Sequence, residues 1–317
     1  MKVVESLDGL KPAAPSVVTV GNFDGLHRGH AEVLRRTLEN ARALRFRGVA
    51  MTFDPHPIRF LYPDRAPKLI STLDQRVRWI EETGIDVLLV LRFDRNFSRL
   101  TADEFIGQYL LDGLQARCVC VGSNFNFGYN QGGRVETLRR YSDRFDVVEV
   151  PPVRFRGENV SSSAIRGMIA SGVIGRANRL LGHFFEMEGP IVAGTGRGRN
   201  VTVPTFNLSA DNELIPRNGV YTTRISLGGG PFLDAVTNVG VRPTFGGNDR
   251  TIETHILRFN ASPHVEFARL QFLERLRDER KFASPEALLH QIQVDIRQAE
   301  RFFRLLKAFS HAESHSS

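Results

Sequence analysis

Near Gly182 the apolar residues change their spacing, and this change limits the folds open to the chain. One part must be layered from strands and helices, the other from strands almost alone. Upstream, short apolar runs at 16–20 and 49–53 predict strands around a helix over 29–44, with Leu34, Leu38 and Ala41 on one face. Thr72 with Gln75 and Thr101 with Glu104 have the spacing of capping boxes and predict two further helix starts. Strand-like runs follow at 85–91, 117–121 and 146–150, the last after a helical stretch over 135–141. This alternation predicts a parallel sheet covered by helices on both faces. Downstream, β-rich runs at 189–193, 219–226, 233–239, 251–259 and 265–272 are separated by Gly, Pro and Asn clusters, which predicts a small antiparallel barrel. Ser284 and Pro285 open a final helix whose apolar face carries Leu288, Leu289, Ile292, Ile296 and Phe303. The resulting division is 1–183, 184–308 and a polar, disordered tail over 309–317.

A length of 317 residues suits two hydrophobic cores better than one. No apolar run is long enough to cross a bilayer, and the first ten residues lack a basic-then-apolar leader. The sequence therefore predicts a cytoplasmic protein with no membrane partner. Cys118 and Cys120, two apart in an apolar run, would share one face of a strand. They are poorly placed for a disulfide and too few for a zinc site, and so read as core thiols. The net charge of +7 is carried almost wholly by arginine, because lysine occupies only positions 2, 11, 68, 281 and 307. A basic surface attracts nucleic acid or a small anionic substrate. The charge here is dispersed and no RNA-binding aromatic motif occurs, so nucleic acid is the less favoured partner. No oligomeric contact is assigned from the sequence.

The most pointed stretch is Gly21-Asn22-Phe23-Asp24-Gly25-Leu26-His27-Arg28-Gly29-His30, between a predicted strand and a predicted helix. Unpaired amides at a helix start attract an anion, and Gly21, Gly25 and Gly29 let backbone approach a phosphate. His27 and His30 add donors, and positive charge when protonated. No Gly-Lys-Ser/Thr occurs, so this is not a Walker loop. Ser161, Ser162, Ser163 and Arg166 mark a second candidate phosphate cradle at another helix start. Thr52-Phe53-Asp54-Pro55-His56-Pro57 leaves a strand end, where α/β sheets bind ligands.

In order and spacing these segments, with Gly122-Ser123-Asn124-Phe125-Asn126-Phe127-Gly128, resemble the nucleotidyltransferase half of bacterial bifunctional riboflavin kinase/FAD synthetases. That family reads Gly-Asn-Phe-Asp-Gly-x-His-x-Gly-His, then Thr-Phe-Asp/Glu-Pro-His-Pro, then Gly-x-Asn/Asp-Phe-x-Phe-Gly, then Ser-Ser-Thr-x-Ile-Arg. Ser163 replaces the usual threonine, and 129–134 departs from the pattern. The resemblance implies a Rossmann-like domain that adenylylates FMN with ATP. Gly21, Asn22, Phe23, Asp24, Gly25, Gly29, Asn124, Ser161, Ser162 and Ser163 would hold nucleotide, with His27, His30 and Arg166 acting on the phosphates. Phe60 and Phe127 are candidate flavin-stacking rings.

In the second half, Gly194-Thr195-Gly196-Arg197-Gly198 is by itself a weak glycine signal, while Thr205 and Asn207 offer hard, neutral oxygens of the kind magnesium accepts. Together with Gly219-Val220-Tyr221, Asn238-Val239-Gly240-Val241-Arg242-Pro243-Thr244-Phe245, Glu253-Thr254-His255 and Leu276-Arg277-Asp278-Glu279, they resemble the riboflavin kinase module of the same family. The resemblance implies Glu253 as catalytic base and Thr205 with Asn207 as the Mg2+ site. Val201-Thr202-Val203 and Phe206 depart from the family's Leu-Gly-Phe/Tyr and Pro-Thr-Ala-Asn. A side chain at Thr202 restricts close approach of backbone to phosphate. The implied function is bifunctional, riboflavin to FMN and FMN to FAD, with ATP as co-substrate. The alternatives are an FAD synthetase with a degenerate kinase half, or a basic nucleic-acid-binding or regulatory protein on this scaffold.

Overall fold

The computed structural model describes residues 1–10, 14–192, 205–244, 247–259 and 265–314, with backbone alone at 242–244, 247–249 and 309–314. Glycines 194–198 and residues 201–203 therefore lie outside the described residues. The chain divides into two compact units, Met1–Ser162 and Ser163–Ser317.

The first unit is built on a six-stranded sheet: β1 (Lys2–Val4), β2 (Ser16–Val20), β3 (Arg47–Asp54), β4 (Val87–Arg92), β5 (Ala116–Gly122) and β6 (Asp146–Val150). Every pairing in the order β1-β4-β3-β2-β5-β6 is parallel. Alternate residues along each strand go to opposite faces. Val49, Met51 and Phe53 join one apolar layer with Val87, Leu89, Phe105, Ile106 and Leu110. Ala50, Leu88 and Val90 join the other with Leu34, Leu38 and Ile80. Helix α1 (Arg28–Leu44) supplies Leu34 and Leu38 from the predicted face. Helix α2 (Pro57–Leu61) is a short turn after β3, and α3 (Leu73–Glu82) starts at the predicted capping box, with Gln75 N 3.1 Å from Thr72 Oγ1. Helix α4 (Ala102–Phe105) also begins at its capping box and continues as a π-wound segment, Ile106–Gly113. Helix α5 is Val135–Arg139. The edge strand β1 is absent from the sequence expectation, being only three residues long. Cys118 and Cys120 are free and buried with sulfurs 4.0 Å apart, as a shared strand face requires.

The strand order reverses at β2, with β3 and β4 on one side and β5 and β6 on the other. Ligands bind α/β sheets outside the strand C-termini at such a reversal. A two-residue hairpin, β7 (Arg154–Phe155) and β8 (Glu158–Asn159), follows β6. Helix α6 runs from Ser162 to Ser171 and α7 from Ile174 to Leu181.

The second unit is a closed antiparallel barrel of β9 (Phe185–Val192), β10 (Phe206–Leu208), β11 (Gly219–Leu227), β12 (Phe232–Thr244), β13 (Gly247–Ile256) and β14 (Phe267–Arg277), in the order β10-β13-β12-β11-β14-β9. Inward positions include Tyr221, Thr223, Thr237 and Thr254, and the three threonine hydroxyls bond in series at 2.7 and 2.9 Å. Val220, Val236 and Leu273 face outward and pack under Ala299 and Phe303 of α8 (Pro285–Ser314). Ser284 Oγ accepts from Ala287 N at 3.3 Å, the predicted cap. The helix continues past 309, where the sequence predicts the tail to begin.

The textural change at 183/184 and the contact division at Ser162/Ser163 differ because α7, helical in period, packs on the barrel. Asn178 Nδ2 donates to Phe272 O at 2.8 Å, and its Oδ1 accepts from Phe185 N at 2.7 Å.

Candidate active sites

The first site forms where β2 ends. Gly21 N still bonds to Met51 O at 3.0 Å, after which the chain turns through Phe23 (φ 50°), Gly25 (φ 75°) and Leu26 (φ 36°) into α1. A Cβ on Gly25 would lie 2.9 Å from Ile70 Cγ2, so both conformation and space require glycine there. His27 caps α1, its Nδ1 accepting from His30 N at 3.2 Å, and the two imidazoles stack with centroids 3.6 Å apart. Burial, reinforced by neighbouring His27, holds His30 well below the ordinary 6.5. His30 is therefore neutral in the free protein near pH 7, and the positive charge that protonation would add is absent there.

Two of the loop's side chains serve the fold. Asp24 is buried, and its Oδ1 accepts from Ile70 N (2.9 Å), Ser71 N (3.1 Å) and Ser71 Oγ (3.3 Å). Ser71 Oγ in turn accepts from Gly25 N at 2.9 Å. The Asp24 carboxylate thus fastens the loop to the segment before α3. Phe23 is also buried, its ring meeting His30 edge-on at 5.5 Å. The side chains of these two positions turn inward as loop supports, which leaves the backbone there for nucleotide contact.

Ser162 Oγ donates to Asp24 O at 3.3 Å, which places the start of α6 at the loop. Ser161 is exposed just before it, while Ser163 and Arg166 belong to the second compact unit. Asn124 is exposed beyond the end of β5. Phe127 is corrected to a core residue: it is buried, stacked on Phe125 at 5.2 Å and tilted against Phe105 at 5.5 Å. Phe60 is 38% exposed with its ring 5.8 Å from Phe93. Beside it opens a cavity of about 410 Å³, lined by Tyr62, Phe93, Phe97 and Tyr129 together with Arg95 and Arg99.

Sequence reasoning missed Arg76. It is a fully buried arginine on α3 whose Nη1 donates to Asn22 O at 3.1 Å, Thr52 Oγ1 at 3.3 Å and Phe53 O at 3.4 Å. Burial lowers its pKa, opposed by Asp24 and Asp54.

At the second site, strand register brings together what the sequence separates. Asn207 of β10 is opposite Glu253 of β13, and Glu253 is opposite Asn238 of β12. Val220 continues the row on β11, opposite both Asn238 and Arg277. Directly opposed residues project to the same side of a sheet, so this band lies on the outer face that α8 covers. The cavity between them is about 370 Å³ and is lined by Thr205, Asn238, Glu253, His255, Arg277 and Glu279, with Leu288, Ile292 and Ile296 of α8 as its apolar wall. That volume is in the range of small-molecule sites. Asn207 and Phe206 both belong to the strand β10. Gly240 leaves room for Glu279, since a Cβ there would fall 2.5 Å from Glu279 Oε1. Asp295 of α8, buried, accepts from Arg277 Nε at 2.9 Å and Nη2 at 2.7 Å and from Gln291 Nε2 at 2.7 Å.

Comparison with known proteins assigns the two halves separately. Residues 10–164 match the family model for FAD synthetase, and residues 181–303 match that for riboflavin kinase. A bifunctional riboflavin kinase/FMN adenylyltransferase of Escherichia coli (strain K12) is 33% identical over 312 residues, covering 97% of this chain and 99% of that protein. The enzyme of the same name from Haemophilus influenzae is 31% identical over 288 residues, covering 90% and 94%. A solved structure described as a macrolide-efflux protein from Streptococcus pneumoniae superposes with a TM-score of 0.86 at 31% identity, over 94% of this chain and 98% of the other. Among the described residues no helix is long and apolar enough to cross a membrane. With a glycine loop at the sheet reversal, a carboxylate-bearing cavity on the barrel and relatives matched from end to end, the chain belongs to the bifunctional riboflavin kinase/FMN adenylyltransferase family, making FMN from riboflavin and FAD from FMN.

Proposed function

We propose that riboflavin is phosphorylated at the barrel cavity, with Glu253 as general base and Thr205 and Asn207 as ligands of Mg2+. The observation that carries this reading is the row Asn207–Glu253–Asn238, which sets one carboxylate among neutral oxygen donors beside an apolar wall. No group of three or more His, Cys, Asp or Glu able to cage a metal occurs among the described residues. Thr and Asn oxygens fit a magnesium ion that also takes phosphate oxygens from ATP. Magnesium supplies charge neutralisation on the transferring phosphates. Glu253 accepts the proton of the riboflavin hydroxyl as the hydroxyl oxygen attacks the γ-phosphorus of ATP, the bond to the β,γ-bridging oxygen breaks and ADP leaves; the apolar side chains of α8 exclude water from the flavin.

Adenylylation is assigned to the glycine loop at the β2 reversal. The FMN phosphate is largely ionised at neutral pH, its second pKa being about 6, so attack on the α-phosphate of ATP with loss of pyrophosphate needs no base. His27, neutral His30, Ser161, Ser162, Ser163 and Arg166 act by positioning and hydrogen-bond donation, with Asn124 and the backbone of Gly21, Asn22, Gly25 and Gly29. The aromatic cavity beside Phe60 is assigned to the flavin ring of FMN. The functional boundary is set at 183/184, and the cytoplasm is the proposed location, in keeping with two buried free thiols.

The test is product analysis with riboflavin, ATP and Mg2+, repeated with Glu253→Gln. FMN formation should fall by roughly 10²–10⁴-fold while FAD formation from supplied FMN stays near normal. FAD from FMN without any FMN from riboflavin in the unaltered protein would favour a decayed kinase half. Equal loss of both reactions in Glu253→Gln, with unchanged stability, would remove the role given to that residue.

A further inference from the structure

We infer that Arg76 is a positioning residue for adenylyl transfer, joining the glycine loop to the end of β3 from beneath; the inference rests on the assignment of that reaction to this loop. A single guanidinium nitrogen reaches acceptors in both segments: Asn22 O at 3.1 Å in the loop, and Thr52 Oγ1 at 3.3 Å and Phe53 O at 3.4 Å on β3. Its Nη2 is 3.9 Å from Asp54 Oδ1. Thr52 Oγ1 closes the triangle by donating to Asn22 O at 3.3 Å. The arginine is 2% exposed, so water does not compete for these acceptors. A buried cation is costly unless it is paired and hydrogen-bonded, so these contacts are what hold the guanidinium in place.

The role of these contacts follows from peptide geometry. In a trans peptide the C=O and N–H point in opposite directions. Arg76 draws the Asn22 carbonyl toward the buried side, and the Phe23 N–H is therefore aimed away from Arg76, toward the open C-terminal edge of the sheet. There it can donate to a phosphate of ATP. Phe23 holds a positive φ of 50°, a conformation phenylalanine adopts only when its surroundings impose it. Arg76 on one side, and the buried ring of Phe23 against His30 on the other, impose it here.

The test uses the full chain with Arg76→Met, which keeps the bulk of the side chain, Arg76→Lys, which keeps the charge but not the fork, and Thr52→Val, which removes one corner of the triangle. Each is assayed well below its own melting temperature for FAD formation from FMN and, as a control for the amount of enzyme and the state of the second unit, for FMN formation from riboflavin. Loss of hydrogen bonds to a charged group predicts a fall in kcat/KM for ATP on the order of 10- to 100-fold in Arg76→Met. Arg76→Lys should recover part of this, Thr52→Val should show a smaller loss, and KM for FMN and the kinase reaction should stay unchanged. A lowered melting temperature with kcat/KM for ATP intact in Arg76→Met, or in Arg76→Lys and Thr52→Val if the methionine variant does not fold, overturns the inference. His30→Ala separates this from failure of the site itself. If His30→Ala also leaves FAD formation intact, the reaction does not use this loop; if only His30→Ala is impaired, the loop is correct and Arg76 does not position it.

Discussion

Removing the carboxylate of Asp295 should unseat α8 from the barrel cavity. Asp295 is 4% exposed at its side chain and Arg277 19%, and the pair is bidentate, with Gln291 as a further donor. Deleting one member of a buried pair costs about 3–5 kcal/mol, because the other charge is left desolvated. Arg277 would keep its bond to Asp278 O at 2.9 Å and it borders a cavity that admits water, so Asp295→Ala belongs at the lower end, about 3 kcal/mol. For a unit of this size that corresponds to a fall of about 6–12 °C in the barrel's melting temperature. Leu288, Ile292 and Ile296 lie on the same helix and form the cavity's apolar wall, so KM for riboflavin should rise severalfold while FAD formation from supplied FMN is unchanged. Calorimetry of the full chain, with the two half-reactions assayed separately, measures both effects. An unchanged barrel transition with an unchanged KM for riboflavin would refute the argument, and so would an equal loss in the two reactions.

Three further outcomes are expected. His30 has a folded pKa below its ordinary 6.5, so in the window between the two the unfolded chain binds a proton that the folded chain does not; the first unit should lose stability as pH falls from about 7 through that window, and His30→Gln should flatten the dependence measured by thermal melts. Gly25→Ala combines a φ of 75° with a contact 2.9 Å from Ile70, and should cost about 1–3 kcal/mol and weaken ATP binding by calorimetry without affecting riboflavin phosphorylation. A fragment of residues 163–317 should melt higher than one of residues 184–317, since only the longer carries Asn178 and the buried Ile174, Ala177 and Leu180; equal melting temperatures would show that α7 adds nothing to the barrel.

Local signals in the sequence were the readable ones. Thr72 with Gln75 and Thr101 with Glu104 form capping boxes within one turn, so spacing alone locates them. The alternation of strands and helices identifies the sheet, and the change at Gly182 identifies the barrel. Contacts that depend on tertiary register were hidden. Nothing local indicates that Asn207 and Glu253 are cross-strand neighbours or that Asp24 turns inward to bind the backbone at 70–71. Phe127 shows how an aromatic inside a motif can belong to the core, because ring size serves packing and stacking alike. Arg76 reads as a surface residue by type. The signal that marks it is position: it precedes the buried Ile80 by one turn of α3 and follows the buried Gln75, on the face that meets the sheet.

Along β13, Ile252, Thr254 and Ile256 are buried in alternation with half-buried Glu253 and His255. Because side chains on a strand repeat every two residues, gain or loss of a single residue before Glu253 within β13 would exchange the proposed proton acceptor for a threonine or an isoleucine. A closed barrel has no free edge along which the strand could slide to restore the pairing. Over divergence this strand should therefore accept substitutions but not changes of length, whereas the Gly228–Gly229 turn, with positive φ at both residues, should accept insertions. A small library of one-residue insertions scored for FMN formation would map that boundary as a sharp step at the ends of β13.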